Sequence, residues 1–136
     1  MKIKLLIITA FTILLLVGCA QQPVKTAKQH GKGISIEMGD SLNIKQMSLS
    51  KYVNGQEVFS ENVVYADSSA FEKGDVIWFD APPTAKDATI KIALSYSENI
   101  DGTDSNTTQK IDVSEADKWI HVQLTKDHEL EMIEMD

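Results

Sequence analysis

From residue 34 onward, apolar and polar residues alternate, and this period of two constrains the fold more than any other feature of the chain. The alternation is clearest over 34–38, 90–96 and 120–124. Shorter runs of the same kind lie at 42–49, 58–65, 76–79, 109–113 and 130–135. Because successive side chains of a β-strand point to opposite faces, each run predicts a strand with one apolar and one polar face.

Turn residues separate these runs. Asn54 and Gly55 lie between two of them, and this dipeptide favours the positive φ angles of a type I′ hairpin turn. The loop 98–106 and the turn 126–128 join later strands. The apolar residues change phase near Gln46, which predicts a bulge or bend there. Short strands joined by turns in this way are typical of an all-β domain.

The N-terminus has the three parts of a secretory signal. Lys2 and Lys4 form a charged start, an apolar run covers 5–17, and the small residue Gly18 follows. A helix that crosses a bilayer needs about 20 apolar residues, so this run is too short to span one comfortably. We expect it to be removed.

Leu16, Val17, Gly18 and Cys19 close this apolar run, and together they resemble the lipobox of bacterial lipoproteins. The resemblance implies that the Cys19 thiol carries a diacylglycerol group, that the chain is cut just before Cys19, and that the new amino terminus is acylated, for example with palmitate. Two or three acyl chains anchor a protein stably, whereas one binds marginally. The implied location is the cell membrane or the outer membrane, with the domain outside the cytoplasm. The alternative is an ordinary signal peptide with an incidental cysteine.

These features divide the chain into a signal peptide over 1–18, a lipidated flexible tether over 19–33 and a folded domain over 34–136. The tether is polar and lacks apolar periodicity. Its lysines could contact anionic lipid headgroups or could simply be solvated; they are Lys25, Lys28 and Lys32.

Cys19 is the only cysteine, so lipidation leaves no thiol for a disulfide, a metal or a nucleophile. The domain must be held by its hydrophobic core, and we expect a small antiparallel β-sandwich, with a partly open β-barrel as the alternative. The segment 68–79, in which Phe71 precedes Gly74, Asp75 and an apolar strand, resembles a segment of exported bacterial immunoglobulin-like domains. The resemblance implies an immunoglobulin-like sandwich in which Phe71 caps the core.

Composition argues against several functions. The chain has 20 acidic residues, 13 lysines and no arginine, for a net charge of −7. A surface this acidic repels nucleic-acid phosphates, so we expect no nucleic-acid partner. His30, His121 and His128 are not at metal-ligand spacing, and His121 falls on the polar face of its strand. With no nucleophile motif either, we expect no resident metal, no cofactor beyond the covalent lipid, and no enzyme activity.

Two sets of residues remain as candidate sites. Acidic and amide side chains in the loop 98–106 could converge on calcium around Gly102, although such loops are also common solvated connectors; they are Glu98, Asp101, Asp104 and Asn106. Trp78 and Trp119 fall out of phase with their apolar neighbours, so they could form an exposed surface for a protein or glycan partner, or be partly buried in the ordinary way.

Three functions are compatible with these features. The first is a membrane-anchored cell-envelope lipoprotein whose sandwich binds or supports another envelope component. The second is an ion or small-ligand binding lipoprotein that uses the acidic loop 98–106. The third is a source of a peptide pheromone, because residues 11–18 resemble pheromones that some Gram-positive bacteria release from lipoprotein signals.

Overall fold

The computed structural model describes residues 25–136; the predicted signal peptide, the predicted lipobox and the first part of the predicted tether lie outside this range. The described chain has one short helix and a series of strands. In chain order they are α1 (Ala27–His30), β1 (Gly33–Met38), β2 (Gln46–Val53), β3 (Gln56–Val64), β4 (Val76–Phe79), β5 (Ile90–Ser97), β6 (Asn106–Thr107), β7 (Ile111–Asp112), β8 (Trp119–Leu124) and β9 (Leu130–Met135).

The strands form two sheets. Sheet A has the order β4-β1-β8-β9, and sheet B has the order β3-β2-β5-β6, with β7 also paired to β5. Neighbouring strands are antiparallel except β1 and β8, which run parallel from Gly33 beside Trp119 to Met38 beside Leu124. That pairing is possible because the long connection between β1 and β8 passes through sheet B. Two separate sheets confirm the predicted small all-β sandwich.

The core lies between the sheets and uses the apolar half of each alternating run. Fully buried residues of β1, β5 and β8 include Ile34, Ile36, Met38, Ile90, Ile92, Leu94, Ile120, Val122 and Leu124. Burying one such side chain stabilises a fold by about 1.5–3 kcal/mol. The described domain contains no cysteine, so this apolar burial holds the two sheets together.

The predicted hairpin turn is confirmed, because Asn54 has φ 49° and Gly55 has φ 85° between β2 and β3. Of the bulge or bend predicted near Gln46, the bulge is absent, whereas the chain does turn just before it, with Asn43 at φ 56°. The strand β2 begins at Gln46, and its register shift lies between Lys51 and Tyr52. The apolar residues before Gln46 change phase because they belong to a loop and not to the strand.

The segment around Phe71 packs the loop between β3 and β4 against the core. Phe71 is fully buried, and Gly74 turns with φ 87° just before β4. The Tyr65 hydroxyl donates a hydrogen bond of 2.8 Å to Asp75 Oδ2, which also accepts the Glu72 N–H at 2.7 Å. Burial, together with the hydrogen bond to Asp75 and its charge, raises the pKa of Tyr65 well above its usual value.

The strand registers define two ends of the sandwich. The end where residues 26–33 join β1 is called the proximal end, and it also carries the turn 54–55 and the loops 80–89 and 113–118. The opposite end is called the distal end, and it carries the loops 39–45, 65–75, 98–105 and 125–129. Residues 26–33 therefore join β1 at the proximal end.

Candidate functional site

Residues 26–33 pack on the outer face of sheet A, so the predicted tether over 19–33 is too long at its C-terminal side. Thr26 caps α1 and forms a capping box with Gln29, and Gly31 ends the helix with φ 76°. A helix of four residues has little stability of its own. Ala27 is fully buried, so tertiary packing holds α1 on the sheet.

His121 links this helix to the sheet. Its Nδ1 lies 2.8 Å from Ser35 Oγ, and its Nε2 lies 2.9 Å from Glu37 Oε2. The Ser35 oxygen also accepts the backbone N–H of Ala27 at 3.0 Å. His121 is only 8% exposed, so its predicted place on a solvent face is wrong. The alternation correctly predicts that His121 points away from the core, but α1 covers this part of the outer face of sheet A.

The two tryptophans predicted as an exposed partner surface are covered by the chain itself. The His30 ring stacks on Trp78 with 3.9 Å between centroids, and Trp78 Nε1 donates to the Lys32 carbonyl at 2.9 Å. Trp119 is 8% exposed, and the Lys28 ammonium lies 5.6 Å from its ring centroid. Of the two alternatives considered for Trp119, the structure has the buried one.

The tether lysines Lys28 and Lys32 form ion pairs within the domain. Lys28 pairs with Glu134 of β9, and Lys32 pairs with Asp80 at 3.0 Å. Both pairs are exposed, so each contributes at most about 1 kcal/mol. They nevertheless direct these two ammonium groups toward carboxylates at the edges of sheet A.

The loop 98–106, considered from the sequence as a calcium site, is partly held by hydrogen bonds within itself. Asp101 Oδ1 accepts the N–H and the hydroxyl of Thr103, and these hydrogen bonds lower the pKa of Asp101. Across residues 25–136, no three His, Cys, Asp or Glu side chains are placed to hold a metal ion. Asp101 is thus bound within its own loop, while Glu98, Asp104 and Asn106 line a common groove.

Part of this loop instead lines a groove at the distal end, here called the distal groove, with a volume of about 490 Å³. Tyr96 and His128 form one side of it and are stacked with 5.0 Å between ring centroids. Glu98, Asp104 and Asn106 supply carboxylates and an amide. Within the described chain, these three side chains make no hydrogen bond to protein, so they are available to a ligand.

A second groove, here called the proximal groove, lies at the other end and has a volume of about 320 Å³. It is lined by Tyr52, Asn54, Gly55, Thr89, Lys91 and Lys110. Tyr52 and Lys91 are neighbours across β2 and β5, and the Lys110 ammonium lies 3.6 Å from the Tyr52 ring centroid. This groove is not visible in the sequence, because alternation places Tyr52 and Lys91 on outer faces but does not show that their strands pair.

Within residues 25–136, no helix is both long and apolar enough to cross a membrane. A scan against protein-family models, a search of curated proteins and a search of solved structures each found no match for the chain.

Proposed function

We propose that this chain is a membrane-anchored cell-envelope lipoprotein whose β-sandwich binds another envelope component, a protein or a glycan, at the distal groove. One structural observation carries the proposal. Residues 26–33 lie on the outer face of sheet A and join β1 at the proximal end, while the distal groove, with its stacked Tyr96 and His128, lies at the opposite end.

The number of residues between Cys19 and α1 limits how far the domain can lie from the membrane. With Cys19 lipidated and Thr26 docked on sheet A, only residues 20–25 separate the lipid from the folded domain. Even a fully extended link of that length reaches at most about 25 Å. The domain is then held near the bilayer, and we infer that the end where residues 26–33 join β1 is the nearer one, with the distal groove on the far side.

The lining of the distal groove supports recognition of a polar partner. A stacked aromatic pair offers flat apolar surface, and the unpaired side chains of Glu98, Asp104 and Asn106 offer hydrogen-bond acceptors and an amide. Pockets of this kind combine apolar area with a few oriented polar groups that fix the ligand.

The proposal is tested by cross-linking in intact cells followed by capture of the protein. Four forms are compared: the natural chain, Cys19→Ser, Asp104→Asn in the distal groove, and Asp87→Asn in a proximal loop. Asp104 and Asp87 both have φ 54°, so the last two variants change the same side chain on the same backbone conformation.

The proposal predicts a partner that is captured by the natural chain and by Asp87→Asn, and that is reduced in Cys19→Ser and in Asp104→Asn. Loss with Cys19→Ser alone would support the anchor but remove the distal groove from the proposal. Equal capture by all four forms would contradict both.

A further inference from the structure

The residues of the proximal groove present hydrogen-bond donors rather than acceptors. Asn54 Oδ1 accepts the Thr89 N–H at 3.0 Å, which leaves the Asn54 amide NH₂ as the free group of that side chain. The Thr89 hydroxyl and the Lys91 and Lys110 ammonium groups add further donors. A concave surface lined by donors is suited to an anion.

The two lysines are not neutralised by ion pairs. Within the described chain, neither Lys91 nor Lys110 has a carboxylate oxygen within 4.0 Å, whereas Lys28, Lys32 and Lys118 do. Asp112 is the register partner of Lys91; its carboxylate accepts the N–H and the hydroxyl of Ser114 at 2.9 and 2.6 Å, and these bonds together with the charge of Lys91 lower the pKa of Asp112. The proximal groove thus brings two ammonium groups together in a chain with a net charge of −7.

The groove is also preformed. The Tyr52 ring holds the Lys110 ammonium at 3.6 Å from its centroid, so that this long side chain is oriented before any ligand arrives. Gly55 leaves open space beside it, because an added Cβ there would have no atom within 4 Å. Less side-chain freedom is therefore lost when an anion binds.

We propose that the proximal groove binds a phosphate group through Lys91, Lys110 and the Asn54 amide. A phosphate offers several acceptor oxygens to separate donors, which suits this set better than a single carboxylate does. The phosphate could belong to an anionic lipid headgroup or to a phosphate ester in solution or in the envelope. A lipid headgroup as the source of the phosphate rests on the proposed function, which brings the proximal end to the bilayer. Binding of a phosphate group as such does not rest on the proposed function.

The test measures how fast each lysine of the natural lipidated protein reacts with an amine-modifying reagent, read by peptide mass spectrometry. In the first arm, the detergent-solubilised protein is titrated with glycerol phosphate. In the second, it is reconstituted into vesicles of phosphatidylcholine alone or mixed with phosphatidylglycerol. Lys45 and Lys126 lie in loops at the distal end and are internal controls.

We expect selective protection of Lys91 and Lys110 in at least one arm. Protection by phosphatidylglycerol vesicles alone identifies the headgroup as the source, and protection by glycerol phosphate alone identifies a non-lipid ester. Protection of Lys45 and Lys126 to the same extent, or no protection in either arm, overturns the proposal. The glycerol phosphate arm needs no anchor, so an unlipidated Cys19 would refute the proposed function while this arm still decides phosphate binding.

A pair of double variants provides the matched control. One variant combines Lys91→Gln with Lys110→Gln, and the other combines Lys45→Gln with Lys126→Gln. Each removes two positive charges, the first at the proximal end and the second at the distal end. In the arm that shows protection, the first pair should weaken phosphate binding by about fivefold for each lysine removed. The second double variant should leave phosphate binding unchanged. Equal weakening by both double variants would show that only the net charge of the protein matters and would contradict a site in the proximal groove.

Discussion

Ser35 Oγ lies 2.8 Å from His121 Nδ1 and at the same time accepts the backbone N–H of Ala27. This one hydroxyl joins β1, β8 and α1. When the neutral His121 ring carries its proton on Nε2, the Nε2–H donates to Glu37 and Nδ1 accepts the Ser35 hydroxyl. Each of these hydrogen-bonding groups then has a partner. The N-terminal segment is thus fixed to sheet A by buried polar contacts as well as by packing.

Replacing this hydroxyl should destabilise the domain. Ser35→Ala leaves the Ala27 N–H and His121 Nδ1 without their partner in a buried site, and we expect a loss of about 1–3 kcal/mol in the free energy of unfolding. Urea denaturation measures the loss. Ser60→Ala, at an exposed serine of β3, is the control and should change stability by less than about 0.5 kcal/mol.

Introducing a charge at Ala27 should release the N-terminal segment without unfolding the sandwich. Ala27 is fully buried, so Ala27→Lys forces α1 off the sheet. Hydrogen exchange of the Ala27 and Lys32 amides should accelerate about tenfold or more, equivalent to ~1.4 kcal/mol of local stability. The exposed Ala66→Lys is the matched control. Unchanged exchange in Ala27→Lys would show that α1 is not held by this contact.

The hydrogen bond from Tyr65 to Asp75 should make stability depend on alkaline pH. The pKa of Tyr65 is raised in the folded state by burial and by Asp75, so folding favours the protonated phenol. Its contribution is complete below the ordinary tyrosine pKa of about 10 and is lost as pH rises above it. Tyr65→Phe should cost about 1 kcal/mol at pH 7 and should flatten the decline above pH 10. An identical decline in wild type and variant would contradict this assignment.

Two glycines with positive φ should respond differently to alanine. At Gly33 (φ 91°), a Cβ would lie 2.4 Å from the Phe79 carbonyl oxygen and 2.7 Å from Trp78 Nε1, so Gly33→Ala should cost more than about 2 kcal/mol. At Gly55 (φ 85°) no atom lies within 4 Å, and only the backbone penalty of about 1–2 kcal/mol remains. Thermal denaturation of both variants checks the order, and equal costs would contradict the close packing at Gly33.

Alternation predicted the strands well because each strand buries one face against the same core. The strands β4 and β9 have the predicted bounds 76–79 and 130–135, and the hairpin turn at Asn54 and Gly55 is where the dipeptide placed it. Such features depend on neighbours in sequence, so they can be predicted without knowledge of the fold. The arrangement of the strands in the sheets, including the parallel pair β1 and β8, depends on distant residues and cannot be predicted in this way.

The errors at the candidate sites have a common physical origin in contacts between distant segments. His121 and Trp119 fall on the outer face as alternation predicts, yet both are buried because residues 27–32 add a layer over that face. The proximal groove required the register of β2 and β5, which pairs Tyr52 with Lys91.

We propose that a lipid on Cys19 holds this sandwich at a membrane. Intact mass spectrometry of the protein extracted from membranes of the native host tests this anchor. We expect a chain that begins at Cys19 and carries diacylglycerol on the thiol, with or without an acyl group on the amine. A chain recovered with a free Cys19 thiol, or with residues 1–18 still attached, would contradict it.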